Sequence, residues 1–149
     1  MSTVFSSSAF FVITALLGVS AQGADITVLL INTQTGQPMS GQRIWLRPAR
    51  QRTDDLPNEM YQRTGPDGTA VFRFSEPSSG WINVFVNDVT LWQCSPWSKS
   101  KFSVKETVEH GAVALNRCDP KGKLKGITAK PGEVVIFTRP LHWWEKGQE

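Results

Sequence analysis

Few side chains in this sequence could carry out chemistry, and the clearest spacing is His142 followed three residues later by Glu145. Such an H-x-x-E pair can hold zinc when a third protein ligand, usually another histidine, follows downstream. Four residues follow Glu145, and none is a histidine. The other histidine, His110, comes where the pattern predicts the last turn of a short helix, a position where a cation suits the helix dipole. We therefore predict a protein that is not an enzyme and that has no metal site and no cofactor.

The first residues have the pattern of a secretory signal peptide. Residues 1–23 contain no charged side chain, and residues 9–19 form an apolar run that small residues follow. At about 11 residues this run is too short to span a bilayer. We predict cleavage after Ala21 or Gly23, a secreted or periplasmic protein, and no transmembrane segment once the signal is removed. An uncleaved short anchor and an N-terminal core helix remain open alternatives.

The chain has two cysteines, Cys94 and Cys118. Cysteines of an exported protein are usually paired, so we predict a disulfide, with two separate buried thiols as the alternative. A bridge closing this loop would stabilise the fold by about 3–4 kcal/mol. Between the cysteines, Ser103 and Glu106 fit a helix-capping box and Gly111 fits a helix end. The segment is therefore predicted to be a disulfide-closed insert that contains one short helix.

Most of the chain alternates between apolar and polar residues, as half-buried strands do. Strands are predicted at residues 25–32, 43–47, 60–63, 69–74, 81–87, 90–94 and 133–139. Turn sequences separate them, and no helix is long enough to cross over between parallel strands. The pattern predicts an all-β, antiparallel sandwich of about seven strands. The 149 residues fit one such domain, at 24–140, followed by an aromatic C-terminal tail at 141–149.

Two segments resemble the carboxypeptidase regulatory-like domains. Thr35-Gly36-Gln37-Pro38, with Gly41 and Ile44-Trp45-Leu46 after it, is similar to their T-G-x-P…G-x-x-V-x-L opening. Residues 64–72 are similar to their T-D-x-x-G-x-a-x-F hairpin, with Gly65 in place of the usual Asp or Asn. The resemblance covers residues 26–74 and implies an immunoglobulin-like or prealbumin-like sandwich. It implies no peptidase activity, because in such enzymes this domain is an appendage.

The remaining features are typical of binding proteins. Residues 95–130 carry eight Lys or Arg and three Asp or Glu, in a chain whose net charge is +3. Such a surface favours an acidic partner, although a solvated basic face is the alternative. The tryptophans that could form a stacking platform are Trp81, Trp92, Trp97, Trp143 and Trp144, with packing against the sheets as the alternative. We single out Trp143, Trp144 and Trp97, together with Lys121, Lys123 and Lys125, as the predicted binding residues.

These features predict an exported interaction or structural module without enzymatic activity. A carbohydrate-binding module that uses exposed tryptophans is the second hypothesis. The predicted partner is an envelope or extracellular protein, or an acidic polymer or glycan. Specific nucleic-acid binding is not predicted, because a net charge of +3 is too weak by itself to indicate it.

Overall fold

The computed structural model describes residues 23–49, 59–73, 80–86 and 88–145, the side chain of Trp97 excepted. The predicted signal peptide up to residue 22, the predicted strand ends at Phe74 and Asn87, and residues 146–149 of the tail lie outside the described residues. The strands are β1 (Asp25–Asn32), β2 (Arg43–Ala49), β3 (Met60–Arg63), β4 (Thr69–Arg73), β5 (Trp81–Val86), β6 (Leu91–Gln93), β7 (Lys101–Ser103), β8 (Ala112–Val113) and β9 (Glu133–Pro140). The helix α1 is Val104–His110, and a 3-10 turn covers Trp97–Lys99.

The strands form two sheets, and the predicted β-sandwich is confirmed. Sheet A has the order β4-β1-β9, with β6 and β8 both along the far edge of β9; sheet B has the order β3-β2-β5-β7. Pairs in sheet B are antiparallel, whereas β9 runs parallel to β1 and to β8. Side-chain alternation is the same in parallel and antiparallel strands, so the sequence pattern does not distinguish the two.

Alternation along each strand builds the core between the sheets. The side chains with no exposed surface include Ile26, Val28 and Leu30 of β1, Ile44 and Leu46 of β2, Ile82 and Val84 of β5, and Val134 and Ile136 of β9. Each such side chain stabilises the fold by about 1.5–3 kcal/mol relative to an exposed one. The core strands therefore provide a rigid base for whatever lies on the outer faces.

Sheet A carries a second, smaller core on its outer face. Residues 119–130, which we call the cover segment, cross this face. Their apolar side chains Leu124, Ile127 and Ala129 pack against Leu29, Ile31, Val135 and Phe137 of the sheet. From the sequence these residues are distinguished only by their lysines, whereas in the structure they are a packed part of the fold.

The Cys94–Cys118 disulfide is present, with its Cα atoms 5.3 Å apart, and it encloses the predicted helix. The Oγ of Ser103 accepts a hydrogen bond from the N–H of Glu106 at 3.3 Å, which confirms the predicted N-cap. The enclosed segment also contributes β7 to sheet B and β8 to sheet A. It is therefore built into both sheets, a role beyond that of an added loop.

A partly buried polar contact joins the two sheets beside this disulfide. The Gln93 side chain points inward from β6, accepts a hydrogen bond from the N–H of Val86 at 2.9 Å and donates to the Oγ of Ser100 at 2.8 Å. Because each of these groups has a partner, the polar side chain is satisfied where two sheet edges meet.

Candidate functional site

The carboxylate of Glu145 is engaged by its own chain. It accepts hydrogen bonds from the Arg139 guanidinium at 2.6 and 2.7 Å and from the backbone N–H of His142 at 2.8 Å. The hydrogen bonds from Arg139, and then that from His142, lower the pKa of Glu145 to about 2, because they favour the charged carboxylate. Glu145 of the H-x-x-E spacing is therefore engaged in an ion pair with Arg139, which holds the tail against β9.

The second histidine lies at the end of α1. His110 is exposed, and its Nε2 is 3.8 Å from the carboxylate of the neighbouring Glu109. Within the described ranges, no three His, Cys, Asp or Glu side chains are grouped closely enough to hold a metal ion.

The tail residues next to Glu145 form an exposed aromatic cluster. The ring of His142 lies parallel to that of Trp144, with centroids 4.4 Å apart. Trp143 meets Trp144 at 87°, with centroids 5.7 Å apart. Trp143 is 80% exposed and Trp144 is 56% exposed. Rings of this size offer a large apolar area to any ligand that covers them.

Trp92 extends this cluster onto β6. It pairs with Arg139 across the β6–β9 ladder, and the Arg139 guanidinium lies 5.8 Å from the centroid of its ring, a cation–π contact. Trp92 is 53% exposed. Arg139 therefore contacts a strand tryptophan and the tail carboxylate at once. We call the group formed by Trp92, Arg139, His142, Trp143 and Trp144 the aromatic surface.

The aromatic surface and the cover segment occupy the same face of the molecule. Side chains alternate along β9, so Arg139 points to the same side as Val135 and Phe137. Those two side chains lie beneath the cover segment, on the outer face of sheet A. The Arg139 that holds the tail and the cover segment therefore lie on the same face of sheet A, although they are separate in the sequence.

The cover segment exposes its lysines to solvent. Lys121, Lys123 and Lys125 are exposed, whereas Leu124 between them is partly buried in the second core. The nearby Asp119 accepts a hydrogen bond from the N–H of Leu124 at 2.7 Å, which lowers its pKa and keeps it charged. Over the parts of the chain that the structure describes, none of the three lysines forms a salt bridge.

The predicted binding residue Trp97 has its backbone in the 3-10 turn, and its side chain is outside the described set.

The sequence did not predict the contacts that organise the outer face of sheet A. Arg139 and Glu145 were not predicted as partners, and Trp92 was one of five tryptophans with nothing to distinguish it. The outward position of Arg139 follows from alternation, but its pairing with Trp92 depends on which strand joins β9 at that edge.

No family model matches this chain, and no curated protein matches it in sequence. Among solved structures, the full-length major pilin SpaD from Corynebacterium diphtheriae is similar over 80% of this chain, with a TM-score of 0.49 and 12% identity. The chain spans 30% of the length of that pilin.

No helix in the described ranges is long and apolar enough to cross a membrane.

Proposed function

We propose that this protein is an exported, non-enzymatic interaction module that contacts an acidic partner through the outer face of sheet A. The observation that carries the proposal is the aromatic surface, where exposed rings are held in place by the Arg139–Glu145 ion pair. Exposed aromatic clusters of this kind mark interaction sites more than scattered surface residues do. The lysines on the same face supply charge that attracts and orients an acidic partner.

The disulfide supports export of the chain. Disulfides persist in oxidising compartments and are rare in the cytosol. Together with the signal-peptide pattern of residues 1–23, the bridge favours a secreted or periplasmic location.

Contacts between the two family-like segments support a carboxypeptidase regulatory-like domain. Gly68 has φ +76° and packs directly against Pro38, so the two segments are in contact. The Thr64 hydroxyl donates to the carbonyl oxygen of Met39 at 2.6 Å, which joins the segments again.

A carbohydrate-binding module is the second candidate, and the exposure of Trp143 favours it. A flat polysaccharide surface needs coplanar rings, whereas the rings of Trp143 and Trp144 are perpendicular and one face of Trp144 is covered by His142. This geometry favours a shaped partner, such as a protein, over a flat polysaccharide.

The proposal is tested by immobilising the mature, disulfide-bonded chain and measuring retention of envelope proteins, an acidic polysaccharide and a neutral polysaccharide. We expect a protein or an acidic polymer to be retained, and Trp143→Ala to weaken its binding more than about tenfold, as truncation of an aromatic hot spot does. Lys123→Glu should weaken it by a smaller factor. The matched control is Tyr61→Ala, which removes an exposed aromatic ring from sheet B and should leave binding unchanged.

Equal loss from Trp143→Ala and Tyr61→Ala would contradict the assignment of the contact face. Tight retention of the neutral polysaccharide, with quenching of tryptophan fluorescence, would favour the carbohydrate-binding module. Chemical change in the retained partner would show that the protein is an enzyme.

A further inference from the structure

The cover segment leaves one edge of the outer face of sheet A open. Beyond β8 the chain continues along β9, since the N–H of Ala114 donates to the carbonyl oxygen of Val135 at 2.9 Å. Val113 and Leu115 flank the buried Ala114 and point to the opposite face, where they are 42% and 48% exposed. They form an apolar edge that the second core does not cover.

A groove with a volume of about 360 Å³ lies between this edge and the cover segment. The apolar side chains that line it are Val113, Ala114, Leu115, Leu124, Ile127 and Phe137. Its polar lining residues are Asn116, Asp119 and Lys125. Small-molecule sites in proteins have this combination of apolar walls with a few polar groups, and volumes of about 300–1,000 Å³.

The polar lining offers one cation to a ligand. The Oδ1 of Asn116 accepts a hydrogen bond from the N–H of Cys118 at 3.2 Å, and its Nδ2 is buried, so neither atom is offered to the groove. Lys125 is exposed and supplies positive charge. The one carboxylate, Asp119, is already bonded to the backbone of Leu124 and lies near Lys123.

We propose that this groove binds a fatty-acid carboxylate, with its acyl chain between Leu115 and Leu124. The aliphatic walls match a hydrocarbon chain, whose burial is favourable in proportion to the apolar area removed from water. The carboxylate head group gains the positive potential of Lys125 in the lining, and of Lys121 and Lys123 on the same segment. An anionic amphiphile matches both the apolar walls and the positive charge in one molecule.

The test is calorimetric titration of the full mature chain with dodecanoate below its micelle concentration, with dodecanol and acetate as reference ligands. We expect dodecanoate to bind one molecule per chain, dodecanol to bind more weakly and acetate not to bind. Leu115→Asp and Val113→Asp change exposed side chains, so both variants should fold, and each should weaken dodecanoate binding by about tenfold or more. Lys125→Gln should weaken dodecanoate binding but not dodecanol binding. The matched control is Val89→Asp, an exposed valine outside the groove.

Failure of dodecanoate to bind would overturn the proposal. So would binding that Leu115→Asp leaves unchanged, or equal binding of dodecanol and dodecanoate. Concentration-dependent dimerisation that Leu115→Asp abolishes, without dodecanoate binding, would show that a second copy covers this edge instead. Retention of the acidic partner is measured separately and depends on Trp143, so the two proposals fail independently.

Discussion

Arg139 is the residue on which the aromatic surface depends. Its planar guanidinium pairs with both oxygens of Glu145 while lying near the ring of Trp92. A lysine could supply the charge but not the two parallel hydrogen bonds. The arginine therefore links the strand tryptophan to the tail turn, and it fixes where the exposed rings lie.

This ion pair predicts a pH dependence of the tail. The pKa of Glu145 is lowered from its ordinary 4.5 to about 2, so its contribution to stability is complete above pH 4.5 and is lost as the pH falls through about 2. We expect the carboxyl carbon of Glu145 to titrate by NMR with a midpoint near 2. In Arg139→Lys the midpoint should move toward 4.5, because the bidentate pair is lost.

A matched control for the titration is Glu109→Gln, which removes an exposed carboxylate from α1 and should leave Glu145 unchanged. A midpoint for Glu145 near 4.5 in the unmodified protein would contradict the assignment of the pair.

At the scale of elements, α1 and the cover segment meet at Gly111. This glycine has φ +76°, and its N–H donates to the carbonyl oxygen of Thr107 at 2.8 Å, which ends the helix. A Cβ at this position would collide with the backbone carbonyl of Lys130 and the side chain of Ala129. The end of the helix is therefore packed directly beneath the chain that leads into β9.

Gly111→Ala should consequently destabilise the protein by at least about 2 kcal/mol, from left-handed strain and the backbone collision together. Urea unfolding of the oxidised protein measures this change. The matched control is Gly126→Ala, since a Cβ at Gly126 meets nothing within 4 Å. A similarly small effect from both substitutions would mean that the cover segment is not packed on the helix end.

At the scale of the whole molecule, the disulfide closes a loop whose short strands pair with both sheets. From Cys94 the chain passes through β7 in sheet B and β8 in sheet A before it reaches Cys118. Each of these strands has only two or three residues, so neither pairing is strong by itself. The bridge limits how far this segment can move from the sheets.

Removal of the bridge in Cys94→Ala/Cys118→Ala should lower the free energy of unfolding by about 3 kcal/mol, as expected for a loop of this length. Amide hydrogen exchange should show loss of protection in β8 and the cover segment, with β1 and β9 still protected, because the main core is intact. The exposed substitution Ser98→Ala, in the same loop, is the control. A loss below about 1 kcal/mol would show that packing alone holds the segment.

The strand pattern, the helix cap and the pairing of the cysteines could be predicted from the sequence. The alternation of Ile26, Val28 and Leu30 and the cap at Ser103 are local signals, because the interactions that produce them act over a few residues. The cysteine pairing could be predicted because the chain has only two cysteines. The family-like motifs are turns of the same local kind. Export and the binding partner remain predictions.

The place of these elements depended on tertiary structure. Parallel pairing of β1 with β9, packing of Leu124 onto the outer face of sheet A, and contact of Arg139 with Trp92 each join residues far apart in the chain. Such contacts are determined by which strands share an edge, and alternation is the same for every possible neighbour. Thus the types of the predicted binding residues could be read from the sequence, whereas the common face of Arg139 and the cover segment required the fold.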